Sequence, residues 1–434
     1  MLGAGAALGV LEQAIRAALA SAGARLLETV LAGEDGYCGP HAGCGCGGQA
    51  GYAGRRDKTV ITVLGPVRVT RAWYHCAQCR HGFAPRDQQL GVAAASLSPG
   101  LAEMTALAGA EVSFARAAAL LAGLAGVTLS ARTIERSAEA TGAAVRTAAG
   151  AEAAAITARV IVPLPPPAPV PDMLYVEVDG TGVPVRASET AGRAGKGEDG
   201  QAGTREVKLA RLFTVSRLDD EGRPVTDPRS SSYAFTFDGK DALAGLVKAE
   251  YLRRGGEHFR QVVALGDGAA WIWTMAGDLY PHATHITDIY HAREHLHDLA
   301  AHLAFITPDP PAWLAGRLSE LDDGDIEAII AAARAYPLTG IKAEDLDKKI
   351  GYFEHNIHRM RYAHFKKLGM FTGSGHIEAA CKQIVVQRAK QSGMHWSIEG
   401  AADIIALRCQ HASGRWNDFV AHRPAPPAGL RAAI

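Results

Sequence analysis

A chain of 434 residues is too long for one small hydrophobic core, which excludes a single compact module and calls for two or more domains. Hydrophobic residues at 48% and charged residues at 21% are an ordinary globular balance, and no apolar run reaches the ~18 residues of a membrane-spanning helix. Lys+Arg and Asp+Glu stand at 45 each, so no global basic field exists and any nucleic-acid surface has to be local.

The first section is residues 1–36. Leu8, Leu11, Ile15, Leu19 and Leu26 recur at helical spacing, which predicts an amphipathic helix. The Ala-rich start has the look of a secretory signal, yet it lacks a basic n-region and is interrupted by Glu12 and Arg16. A cytoplasmic location is the expectation.

Residues 37–90 hold five of the seven cysteines: Cys38, Cys44, Cys46, Cys76 and Cys79. Without a secretory signal, such a cluster points to metal ligands rather than disulfides. Cys76-Ala-Gln-Cys79 has the spacing of a zinc knuckle, and Cys44-Gly-Cys46 is a tighter partner. Between them, residues 59–63 and 67–74 are β-rich runs split by Leu64-Gly-Pro, which predicts a hairpin. Four thiolates at its base would make a closed, tetrahedral zinc ribbon from Cys44, Cys46, Cys76 and Cys79. Cys38-Gly-Pro-His41 offers a rival pair, and a metal-free fold is a further alternative. Cys381 and Cys409 stand alone in helical patterns and read as buried thiols.

Residues 91–159 are helical and Ala-rich. One helix is predicted over 114–125, and Ser130 caps a second over 131–142. With Arg116, Arg132 and Arg136 near its polar face, the pair has the form of a helix-turn-helix, although ordinary helical hairpins share it. A proline-rich linker at 160–172 disfavours helix and central strand, and marks a domain boundary.

Residues 173–305 predict a mixed α/β sheet: strands at 174–185, 206–217 and 231–237, a helix at 240–254, a strand at 261–266, a strand near 284–289 and a helix at 291–304. A polar loop occupies 187–204. Residues 306–368 are helical, broken at Pro337-Leu-Thr-Gly, and 369–434 begin a further basic helical region.

Three carboxylates stand out. Asp179 and Asp267 each end an apolar strand in an Asp-Gly pair, and Glu378 follows Gly373-Ser-Gly at a helix start that Ser374 can cap. Singly, they read as two turns and a first-turn glutamate. Together they suit divalent ions such as Mg²⁺ or Mn²⁺, which take oxygen ligands. Asp288, His291 and His295 add a possible zinc set, since histidines four apart share a helix face; ordinary core or surface histidines are the alternative. Basic residues gather near Glu378, among them Lys382, Arg388 and Lys390, with Trp396 as flat apolar surface. Phosphate clamping and a solvated helix face are the two readings.

Several stretches in order carry a resemblance: Tyr175-Val-Glu-Val-Asp-Gly-Thr-Gly-Val-Pro, Arg205-Glu-Val-Lys, Gly266-Asp-Gly-Ala-Ala-Trp-Ile-Trp, Gly373-Ser-Gly-His-Ile-Glu-Ala-Ala-Cys-Lys and Ser392-Gly-Met-His-Trp, with Trp73-Tyr-His-Cys-Ala-Gln-Cys and Ala84-Pro-Arg-Asp upstream. Nearly the whole chain resembles the DDE transposases of the Mutator-like group, and within it the ISKra family of bacterial insertion sequences. Asp288-Ile-Tyr-His291 is similar to the signature that group carries after its second aspartate. The resemblance implies an RNase H-like catalytic core with a helical insertion before the glutamate. It also implies an Asp179–Asp267–Glu378 triad on Mg²⁺ or Mn²⁺, and Asp288 and His291 as auxiliary residues at the site edge. An N-terminal region would bind double-stranded DNA at the element's terminal inverted repeats, with target DNA as second substrate. A nucleoid-associated homo-oligomer is the implied working form. A transposase-derived DNA-binding protein without catalysis is the alternative.

Overall fold

The computed structural model describes residues 7–93, 95–166, 168–195, 202–227 and 229–422. They fall into two compact units, 7–144 with 417–422 and 145–416. The division lies inside one long helix, not at the proline-rich segment 160–172, which belongs to the second unit. No proline interrupts the Ala-rich run before Pro163, so the helix expected to stop at 142 continues to Thr157.

In the first unit, helix α1 (Leu8–Ala32) sets Ala24, Leu27 and Leu31 against Val60, Val67 and Val69. Four antiparallel strands follow in sequence order: β1 (His41–Gly43), β2 (Gln49–Thr62), β3 (Gly65–Cys76) and β4 (Gly82–Phe83). The predicted hairpin is therefore the distal half of a longer one. Its proximal half pairs Ala50 with Cys76, past a register shift next to Gly54, whose φ is +92°. Polar residues from Gln49 to Lys58 hide that half from hydrophobic alternation. Next come α2 (Pro85–Gln89), α3 (Pro99–Glu111), α4 (Phe114–Leu120) and α5 (Ala131–Thr157). A widened turn at Leu121–Ala125 ends α4, and Gly126 reverses the chain at φ +69°. Ser130 caps α5 as expected, accepting from the Thr133 N–H at 3.1 Å.

The predicted amphipathic stripe of α1 faces the other way. Leu8, Ile15, Leu19 and Leu26 are exposed, and the buried side is the Ala24–Leu27–Leu31 side. Helical spacing is symmetric about the axis, so periodicity alone cannot say which of two apolar faces meets the core.

The second unit is a mixed sheet of β5 (Met173–Pro184), β6 (Thr204–Leu218), β7 (Pro224–Thr226), β8 (Ser232–Thr236), β9 (Gln261–Gly266) and β10 (Thr284–Thr287), with α6 (Ala187–Thr190) after β5. The order is β10-β9-β5-β6-β7, and β8 also pairs with β6. Strands β5, β9 and β10 run parallel, and β6, β7 and β8 complete it in antiparallel fashion. Six residues of the expected polar loop, 196–201, lie outside the described residues.

Helices cover both faces, as buried parallel strands require. On one, Leu174, Val176 and Val178 pack with α7 (Lys240–Arg253) and α8 (Ala270–Leu279). On the other, Tyr175, Val263, Leu265 and Ile286 pack under α9 (Ile289–Leu303), α10 (Pro310–Asp323), α11 (Ile326–Arg334), α12 (Ile341–Asn356) and α13 (Tyr362–Lys367). The helical segment 306–368 thus shares one core with the sheet. Period-2 alternation puts Tyr175, Glu177 and Asp179 on this second face. Beyond it lie α14 (Gly375–Ala380), a π-turn at Cys381–Val386, α15 (Gln387–Ala389) and α16 (Ile398–Ala412). No helix among the described residues is long and apolar enough to cross a membrane.

Candidate metal centres

The cysteine site is built at the base of the β2–β3 hairpin. Cys44 and Cys46 sit in the tight turn after β1, where the Cys44 N–H bonds the Gly48 carbonyl at 2.8 Å. Cys76 ends β3, and Cys79 lies in the turn before β4. Sγ–Sγ separations are 3.5 Å for Cys44–Cys79 and 3.7 Å for Cys46–Cys76, and all four sulfurs lie within 4.8 Å of one another. Thiolates at 2.3 Å from a tetrahedral zinc would stand about 3.8 Å apart, so this set fits a Zn²⁺. All four cysteines are free rather than disulfide-linked. A Cβ at Gly48 would make ordinary contacts of 3.4 and 3.6 Å with the Cys46 and Cys76 sulfurs and would displace only the end of the Gln78 side chain. The Cys79 backbone N–H, aided by other donors, pulls the Cys76 thiol down to about 7. At Cys79 the His81 N–H also pulls down, but the neighbouring sulfurs and burial outweigh it and hold the thiol up at about 12. Cys38 and His41, the rival pair, fall outside the group; the Cys38 thiol donates to the Gly36 carbonyl instead.

The carboxylate site follows from strand register. Strand β5 pairs in parallel with β9 at a constant offset, Glu177 with Leu265 and so 265 − 177 = 88. Adding 88 to 179 gives 267, so Asp179, midway along β5, lies level with Asp267, the residue just past the C-terminal end of β9. The apolar run expected to end at Asp179 continues as strand to Pro184 against β6. Strand β10 pairs with β9 at 287 − 266 = 21. Adding 21 to 267 gives 288, and Asp288 joins them as the residue that opens α9. Asp267 and Asp288 thus stand just past the carboxyl ends of two adjacent parallel strands, where α/β sheets place their ligand sites, and Asp179 lies level with them within the neighbouring β5.

Burial raises Asp179 above the usual carboxylate range, and the negative charge of Asp267 adds to the rise. The Gly180 N–H at 2.6 Å and the Cys381 thiol pull against it. Asp267 takes the Ala269 N–H at 2.9 Å, and the Tyr352 hydroxyl donates to its carbonyl at 3.2 Å. Gly268 has φ +101°, and a Cβ there would strike the Tyr352 ring at 2.8 Å. A glycine after Asp267 is therefore a steric requirement.

Asp288 is fully buried and accepts four hydrogen bonds: Ser374 Oγ at 2.6 Å, His291 Nδ1 at 2.7 Å, the Tyr290 N–H at 3.0 Å and the Ser374 N–H at 3.2 Å. Burial alone would raise it, but these donors hold it below the usual range. In return Asp288, helped by Asp267, lifts His291 to about 9. Ser374 was expected to cap the Glu378 helix. It does not: its hydroxyl is spent on Asp288, with Glu378 Oε1 only at 3.4 Å.

Among the described residues, Asp179, Asp267 and Glu378 do not form a group within 4.8 Å; Asp288, His291 and Glu378 do. Yet a carboxylate has about four acceptor positions, and those of Asp288 are all taken. An ion could bind it only by evicting Ser374 or His291. We therefore assign Asp288 the role of holding His291 and the loop before Glu378. The exposed Glu378 and the carboxylates of Asp179 and Asp267 keep acceptor capacity for a cation. His295, read with Asp288 and His291 as a zinc set, instead stacks on Tyr352 at 3.6 Å and lies outside the group.

Sequence reasoning missed Glu177 and His376. Glu177 is fully buried, neither oxygen has a hydrogen-bond partner, and His376 Nδ1 lies 3.6 Å away. Burial raises this carboxyl as well. Its position two residues before Asp179, on the same strand face, was the available signal.

The basic residues separate into two kinds. Lys382 and Lys390 are exposed, and Lys390 Nζ donates to Thr181 Oγ1 at 2.7 Å beside Asp179. Arg132 and Arg136 are exposed at the start of α5. Arg388 and Trp396, expected on a DNA surface, are buried at 1% and 6% exposure. The guanidinium lies over the indole at 4.8 Å, and the indole N–H bonds the Ala389 carbonyl. They are packing residues, because a cation–π pair lets a long arginine enter an apolar core.

No protein-family model matches the chain, and a search of curated proteins finds no similar sequence.

Proposed function

We propose that this protein is a DDE transposase of the ISKra type, with an RNase H-like core that breaks and joins DNA strands using divalent metal ions. The observation that carries this reading is the common level of Asp179 and Asp267 on parallel strands, with Glu378 presented beside the adjacent Asp288. Two Mg²⁺ or Mn²⁺ ions about 3.5–4 Å apart, when bound, would activate the attacking hydroxyl and stabilise the leaving 3′ oxygen. Asp179 would hold them from within β5 and Asp267 from the end of β9, and Glu378 would close the set from α14. The raised Asp179 is in keeping with this: burial, and to a lesser degree the charge of Asp267, disfavour its ionised form, which a bound cation would restore. His291, which the hydrogen-bonded Asp288 lifts to about 9, would present a positive donor to a phosphate oxygen. Lys382 and Lys390 would hold the flanking phosphates. The chain's task is then to orient one phosphodiester while water opens it, and to hold the freed 3′-OH for attack on target DNA. The cysteine ribbon with its structural Zn²⁺, and Arg132 and Arg136, would engage duplex DNA.

The test is strand cleavage and joining on DNA carrying the element's ends, with Mg²⁺ or Mn²⁺. Asp179→Ala, Asp267→Ala and Glu378→Ala are each expected to abolish both reactions and retain DNA binding. Wild-type rates in all three would overturn the reading. Cleavage without joined products would point to a nuclease, and binding without turnover to a non-catalytic DNA-binding protein.

A further inference from the structure

Helix α1 carries a second apolar face that nothing among the described residues covers. Leu8, Ile15, Leu19, Leu26 and Val30 are between 58% and 72% exposed, and Ala22 is exposed among them. With Glu12 they fall at spacings of four, three, four, three, four and four, one straight stripe along the helix. The opposite side of the same helix is the one packed on the β2–β3 hairpin. A surface helix normally has one apolar face, so the second needs an occupant.

We propose that this stripe pairs with the same stripe of a second copy of the chain, antiparallel, as a short two-helix coiled coil. Spacings of three and four are the seam of such a pair, in which each side chain enters a gap on the facing helix. Direction follows from the one charge on the stripe. In a parallel pair Glu12 would face its own copy, two like charges at a closed seam. Turned antiparallel so that Leu8 meets Leu26 and Ile15 meets Leu19, Glu12 faces Ala22. It then lies within one turn of Arg25 of the second copy, and Arg25 is exposed. The two helix dipoles also oppose favourably.

The area sets the strength of the pairing. Leu8, Ile15, Leu19 and Leu26 find partners in this register, and at roughly 100 Å² each they give on the order of 800 Å² across the pair, the size of a weak, concentration-dependent association. This surface is independent of the metal chemistry, and its failure would leave that reading untouched.

Sedimentation equilibrium on the full, zinc-loaded chain without DNA, over a wide dilution series, tests it. The wild type is expected at twice the chain mass. Leu19→Glu, an exposed position, is expected to weaken association ~100-fold or more while the far-ultraviolet circular dichroism of the folded chain stays that of the wild type. Glu12→Arg and Arg25→Glu should each weaken it up to about tenfold, and the double exchange should restore it. A wild type that stays monomeric throughout, or a Leu19→Glu chain that pairs as tightly as wild type, overturns the interface. Single charge reversals without recovery in the double exchange overturn the antiparallel direction.

Discussion

Ser374→Ala is a one-atom change with a calculable cost. The hydroxyl is buried at 3% exposure and sits 2.6 Å from Asp288 Oδ2, whose side chain is itself fully buried. Removing it leaves that oxygen with His291 alone, while Tyr290 and Ser374 N–H groups still serve the other oxygen. A hydrogen bond to a charged group contributes about 1.5–3 kcal/mol, and no water replaces it in a site this closed. The expected loss is about 2 kcal/mol for the unit 145–416. At about 2–4 °C per kcal/mol, that lowers its midpoint by about 4–8 °C. Because Asp288 fixes the loop leading to Glu378, Mn²⁺ affinity should also fall, by ~10–100-fold. Differential scanning calorimetry and Mn²⁺ titration followed by electron paramagnetic resonance measure the two effects. Glu378→Gln is the contrast: its side chain is exposed, so stability should hold while Mn²⁺ affinity falls. If Ser374→Ala matches wild type in both midpoint and affinity, Asp288 is not the organiser of this site.

Cys76→Ser, or a strong chelator, should remove one equivalent of zinc per chain and unfold the four-strand segment, because apparent binding energies of ~10–16 kcal/mol are folding energy there; zinc analysis and circular dichroism read it. Lys390→Ala should weaken binding to all DNA sequences alike and reduce the salt slope by about one, in filter-binding titrations, whereas Arg388→Ala should lower the unfolding midpoint instead. Arg361 holds Glu327 down at about 2. A lowered carboxylate stabilises the fold above its unfolded value of 4.5, and that contribution is lost as pH falls from there through about 2. Both partners are partly exposed, at 33% and 54%, so the amount is at most about 1 kcal/mol. Acid unfolding of Glu327→Gln should accordingly lack that slope.

Asp179 and Asp267 were legible because each breaks an apolar run with a charge and a glycine. Their common level was not, since the offsets of 88 and 21 exist only once the strands pair. Asp288 was placed near the site, but two of its four hydrogen bonds come from a loop 86 residues away in sequence. The same distance hid the true partner of Ser374, whose local context permits a helix cap equally well. Arg388 and Trp396 were misplaced because composition shows charge and aromaticity, not the direction a side chain takes. Cysteine spacing, by contrast, carried its four ligands intact, since two short turns leave those thiols little freedom. The RNase H-like assignment and the transposition chemistry rest on motif resemblance joined to this site geometry.

Crystals of the full chain grown with Mn²⁺ and measured at the manganese absorption edge test the central claim most directly. The proposed site requires an anomalous peak against the Asp179, Asp267 and Glu378 carboxylates, with Asp288 still bonded to Ser374. Full Mn²⁺ saturation with no peak at these three carboxylates would contradict it.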